Sequence, residues 1–112
     1  MGDGLNRWPA VHRLDAARVF CLALEKAAPG TRLHAVAEEG VPMRSIAEAI
    51  GEGLGVPARS VTADEAPAYL DFLAGFSAMD NQTSSALTRE TLGWRPEQPE
   101  LLTDMKESGY FA

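Results

Sequence analysis

The sequence predicts an α/β chain of the α+β kind, four to five short helices with two to three short strands, in one domain of 112 residues. Three observations predict it. Apolar residues recur at steps of three and four in several separate stretches, the signature of amphipathic helices. Short extended runs lie between those stretches. Pro and Gly punctuate the joins, at Pro29 and Gly30, Pro42, Gly55 and Pro57, Gly93, and Pro96 to Pro99.

The elements follow in order. Trp8, Val11 and Leu14, separated by polar Arg7, His12 and Arg13, suit a strand or extended arm that enters a helix. Asp15 is placed to start that helix, its carboxylate accepting from first-turn amides at the positive end of the dipole. Ala16, Phe20, Ala23, Leu24 and Ala27 then form the face expected to be buried. Pro29 and Gly30 end it. Leu33 to Ala37 reads as a second extended segment. Pro42 opens a helix whose apolar positions are Met43, Ile46, Ala47, Ile50 and Leu54, with Gly55 and Pro57 as its stop.

Ala58 to Val61 is expected as a short strand, and Thr62 with Glu65 forms a capping box for a third helix running to about Ala78. Tyr69, Leu70, Phe72, Leu73 and Phe76 are its expected core residues. Asp80 to Ser85 is polar and reads as a loop, with Ser85 capping a short helix that Gly93 terminates. Trp94 is expected to pack back. Leu101, Leu102 and Met105 mark a last helix ending near Gly109.

Composition narrows the function classes. A hydrophobic fraction of 46% with 23% charged residues is that of a folded globular chain. The net charge is -6 and the basic residues are scattered, so no basic face is offered to nucleic acid. Cys21 stands alone and reads as a small packing residue in a reducing compartment, with neither a disulfide nor a thiolate metal cluster. His12 and His34 have no metal-ligand spacing. No apolar run approaches the roughly 18 to 20 residues of a membrane span, and the expected location is cytoplasmic.

Four stretches taken together resemble the later part of the extended short-chain dehydrogenase/reductases, the NAD-dependent epimerases, dehydratases and related reductases. They are V-H-x-x-D-x-A at Val11, His12, Asp15 and Ala17; Gly30 to Ala37; the Pro-initiated helix within Val41 to Gly55; and L-G-W-x-P at Leu92, Gly93, Trp94 and Pro96. The resemblance implies the C-terminal, substrate-binding portion of a Rossmann-type enzyme, its N-terminal dinucleotide-binding domain absent. Full-length relatives would use NAD or NADP, with an upstream Tyr-x-x-x-Lys pair handling the proton. Neither that pair nor a Gly-rich turn opening a helix is found here: Tyr69 is followed four residues on by Leu73, and Gly51-Glu52-Gly53-Leu54-Gly55 closes a helix. No cofactor is therefore expected in this chain, and no turnover by it alone.

Arg7, Trp8 and His12 combine a cation, a broad aromatic face and a group titrating near neutrality. In the resembled family this region borders the substrate cleft, so they are the candidate contacts for a small-molecule ligand. Each also has a structural reading, since Trp before Pro packs, Arg stacks on it, and a strand His is ordinarily hydrogen-bonded. No catalytic residue is assigned. A strand at Leu33 to Ala37 without a sheet, together with apolar helix faces, predicts a homo-oligomer. The alternative function is a stand-alone homo-oligomeric interaction or small-ligand module derived from the same fragment.

Overall fold

The computed structural model describes residues 2–111. Strand β1 (Arg7–Ala10) leads into α1 (Arg13–Lys26); β2 (Glu38–Pro42) runs directly into α2 (Met43–Leu54). Then come α3 (Ala66–Leu70), a 3-10 turn at Asp71–Leu73, α4 (Ala74–Ser77), α5 (Ala86–Leu92) and α6 (Leu101–Glu107). The architecture is α+β, with a two-stranded antiparallel sheet of β1 and β2 among the described residues. Arg7 pairs with Pro42, Trp8 with Val41 and Ala10 with Glu38, the register slipping between Trp8 and Ala10. Pro9 sits at the slip and has no N–H to give to a ladder.

The core is built where α1 meets α5. Val19, Leu92 and Trp94 are buried together, with Val11, Leu22, Ala27, Leu33 and Ala35 packed around them. The α1 face that turns inward is therefore Asp15, Val19 and Leu22, joined by Ala27 of the expected face but not by Phe20 or Leu24. Phe20 and Leu24 stay 71% and 90% exposed, on the side of α1 away from Val19. Cys21 is exposed as well, not packed. Helix α2 is amphipathic as predicted and ends at Gly55 in a left-handed cap of φ 69°. Its buried residues are Ala49 and Gly51, while Ile50 and Leu54 remain exposed.

Other boundaries shift for identifiable reasons. His12, not Asp15, caps α1: its Nδ1 accepts from the Leu14 amide, and Asp15 falls inside the first turn. Leu33 to Ala37 forms no strand. Its amides are taken by separate partners, His34 N–H donating to Thr88 Oγ1 at 2.7 Å and Ala37 N–H to the Ala10 carbonyl at 2.9 Å. The physical motive that this stretch gave for self-association is thereby lost. Ala58 to Val61 is likewise not a strand.

The Thr62–Glu65 capping box forms in both directions, Glu65 Oε2 accepting from Thr62 N–H and Thr62 Oγ1 from Glu65 N–H. The third helix nevertheless breaks at Asp71, whose φ of 50° no α-helix can contain. Tyr69, Phe72, Leu73 and Phe76, expected in the core, lie exposed along the broken rod. Before α5, the helix amide of Ala86 donates to Ser84 Oγ; Ser85 is buried and receives Arg89 Nε instead. Trp94 packs back as expected. The outline is a slab of 45 × 31 × 20 Å. No helix among the described residues is long and apolar enough to cross a membrane.

Candidate functional site

The two most distinctive sequence motifs fold onto one another. Helix α1 presents Asp15 toward the segment after α5, and its carboxylate accepts from the Glu97 and Gln98 amides at 2.9 and 3.0 Å. The Asp15 carbonyl accepts from Trp94 Nε1 at 3.0 Å. Arg18 reinforces this clamp, donating to the Arg95 carbonyl and pairing with Asp15 and Glu97. Arg89 lies over the Trp94 ring. Buried Asp15 and Trp94 thus have their polar atoms satisfied, which lets a carboxylate stand in a core.

A groove lies elsewhere on the chain. The Gly2–Gly4 turn, α2, the Pro57–Val61 segment and α3 enclose about 650 Å³, a volume in the range of small-molecule sites. Its polar lining converges from different segments: Asp3, Arg44, Glu48, Arg59, Ser60 and Tyr69. Arg44 Nε donates to Glu48 Oε1 at 2.7 Å, one turn along α2. That hydrogen bond, with the charge behind it, raises the Arg44 pKa above its already high ordinary value. Arg59 donates to the Tyr69 hydroxyl and lies 5.3 Å from the centre of its ring. Ser60 Oγ donates to the Gly2 carbonyl. Asp3 and Glu48 balance Arg44 and Arg59, so the lining sets polar groups of both charges beside an aromatic face, suited to a small polar ligand.

The predicted site residues do not line this groove, and His12 does not join Arg7 and Trp8. Arg7 and Trp8 both tether the segment after α4. Arg7 N–H donates to Asp80 Oδ1 at 2.8 Å, its guanidinium pairs with the same carboxylate at 3.6 Å, and Trp8 Nε1 donates to the Met79 carbonyl. The Arg7 amide hydrogen bond is the main cause of an Asp80 pKa below the ordinary carboxylate value. Since Asn6 also holds the carbonyl of Ser77, which lines the groove, these contacts position its wall.

His12 points away, toward α6. With Nδ1 accepting from Leu14, the neutral ring carries its proton on Nε2, 3.8 Å from Asp104 Oδ1. Asp104 also receives the hydroxyls of Ser108 and Tyr110. The Ser108 hydrogen bond, foremost, lowers the Asp104 pKa against the opposing effect of burial. The Ser108 hydroxyl is directed at the carboxylate and not at the imidazole, so the cluster fastens α6 to the start of α1 and does not assemble an activated nucleophile. The i, i+4 spacing of Asp104 and Ser108 is a signal in the sequence for part of it. The groove arginines gave none, because their segments meet only in the folded chain.

The glycines of Gly51 to Gly55 do not form a phosphate cradle. A side chain at Gly51 would meet the Val56 carbonyl at 2.6 Å, and one at Gly53 would meet the Phe111 ring. Both serve close packing of this chain on itself, at a helix C-terminus whose carbonyls repel phosphate.

Comparison with known proteins adds two relatives. An uncharacterized protein of Schizosaccharomyces pombe is 50% identical over 111 residues, 99% of this chain and 38% of that protein. An uncharacterized protein of Saccharomyces cerevisiae is 46% identical over 106 residues, 95% of this chain and 36% of its own length. The chain spans little more than a third of these curated relatives. No family model and no solved structure matches it.

Proposed function

We propose that this chain is the substrate-binding part of an NAD(P)-dependent enzyme of the extended short-chain dehydrogenase/reductase type, epimerase, dehydratase or reductase in its chemistry. The observation that carries the reading is the clamp. The V-H-x-x-D and L-G-W-x-P stretches on which the resemblance rests, some eighty residues apart, act as one device through Asp15 and Trp94. Two features support it further. The groove supplies donors for a polar substrate, and the relatives carry nearly two thirds of their length beyond the matched region.

In this reading the groove of Arg44, Arg59, Ser60 and Tyr69 holds the substrate's polar end, while Arg7 and Trp8, outside it, tether the segment that follows its Ser77 wall. Hydride and proton transfer belong to the part of the longer protein that carries the nicotinamide. The test is a fluorescence titration of NADH and NADPH against the full-length Schizosaccharomyces pombe relative and against this chain. The relative binds one of them; this chain binds neither. Tight binding or turnover by this chain alone, or no nicotinamide binding by the relative, would overturn the proposal.

A further inference from the structure

The chain exposes too much surface for its mass. A folded monomer of 12.0 kDa presents about 6,000 Å² by the scaling of globular proteins; this one presents 7803 Å². The excess of about 1,800 Å² is more than twice the ~800 Å² that each partner buries in a stable interface. The dimensions agree. A radius of gyration of 16.3 Å compares with about 13 Å for a compact domain of this length.

Large apolar side chains stand exposed in two groups. Phe20 and Leu24 stand one turn apart on the outer face of α1, with Leu87 of the neighbouring α5 also exposed. Tyr69 before the break at Asp71 and Phe72, Leu73 and Phe76 after it are exposed along α3 to α4, Arg59 lying over the Tyr69 ring and Phe72 being 75% exposed. Stripes of large side chains at helical spacing are the sequence pattern of buried faces, and water is an unfavourable environment for them. Scattered exposed apolar residues need no explanation, but two groups of large ones on a chain with this excess area do.

We infer that these two groups are the docking surface for the remainder of a longer polypeptide, the region that the yeast relatives carry outside their match to this chain. The choice of occupant follows from length. Relatives at 50% and 46% identity hold this region inside proteins of which it is 38% and 36%, so in them a covalently attached body larger than this region is at hand. Tyr69 belongs both to the α3–α4 group and to the groove, so a body seated on that group also borders the groove. The inference rests on the proposed function only in requiring a second body; it holds whatever chemistry that body performs.

The experiment uses a chimera in which this chain replaces the matched region of the Schizosaccharomyces pombe relative. Phe20→Gln with Leu24→Gln, and separately Phe72→Gln with Phe76→Gln, are made in the chimera and in the isolated chain. In the isolated chain the melting midpoint stays put; in the chimera each pair lowers it by roughly 5 °C or more. Equal effects in both settings would overturn the inference. Hydroxyl-radical footprinting of the natural full-length relative gives a reading that does not depend on the chimera folding. Its segments matching α1 and α3 to α4 are modified several-fold more slowly than those of the isolated chain, and equal rates would contradict docking. A dimer of the isolated chain in light scattering, broken by the same substitutions, would assign the surface to a second copy and overturn the choice of occupant. Since no readout is nicotinamide binding, loss of the functional proposal leaves these outcomes separately readable.

Discussion

The α1–α5 half and the α2–α4 half of this molecule carry similar apolar periodicity and fold to opposite ends. In the first, Trp94 and Leu92 are sealed against Val19, and a buried carboxylate ties the segment after α5 to α1. In the second, only small residues are buried, Ala49, Gly51, Ala66 and Ala74, while the aromatic side chains face water. The comparison teaches that helical spacing specifies which residues share a face and not whether anything comes to cover it. The first half contains both sides of its core. The second displays one side of an interface.

The most severe way to break the contrast is Trp94→Ala. Removing a fully enclosed indole in the only large-residue core among the described residues should cost about 4 kcal/mol, seen as loss of cooperative urea unfolding. Asp15→Asn comes next. It keeps the side-chain size but replaces a carboxylate that accepts two amides, and should cost about 2 kcal/mol by urea denaturation; Trp94→Phe, which removes the indole donor to the Asp15 carbonyl, should cost about 1 kcal/mol.

A smaller effect is expected at the α6 latch. The Asp104 carboxyl titrates below its ordinary 3.8 in the folded chain, so its contribution to stability is complete above that value and is lost as pH falls through the depressed one. Ser108→Ala removes the main cause of the depression. It should therefore lower stability at neutral pH relative to the parent, with the difference closing in acid, as read by melting curves across pH. Smallest of all is Phe72→Gln in the isolated chain, which should change stability by no more than about 0.5 kcal/mol. A loss several times larger would mean that the α3–α4 stripe is covered after all.

What the sequence made legible was local chemistry. The Thr62–Glu65 box, the Gly55 and Gly93 caps, the Pro-initiated α2 and the return of Trp94 each depend on a few neighbouring residues, and each forms. What it did not make legible was partnership across the chain. Asp15 has the look of a cap from its position before the apolar run, but its use is fixed by Glu97 and Gln98. Leu33 to Ala37 has strand composition, yet a strand requires a neighbour, and Thr88 and Ala10 take its amides singly.

The candidate site divides in the same way. Arg7, Trp8 and His12 form a chemically rich stretch in the sequence; the fold sets Arg7 and Trp8 on the segment after α4 and turns His12 toward α6. Arg44, Arg59 and Tyr69 look unremarkable in the sequence because each needs the fold to bring the others near.

Native-state hydrogen exchange on the isolated chain tests the central contrast most directly. Amides of α1 facing α5, and those of α5 itself, should exchange slowest and only through global unfolding, while α3 and α4 exchange faster through local opening. Uniform protection across both halves would contradict the account, since it would mean that the exposed stripes belong to a body already as complete as its core.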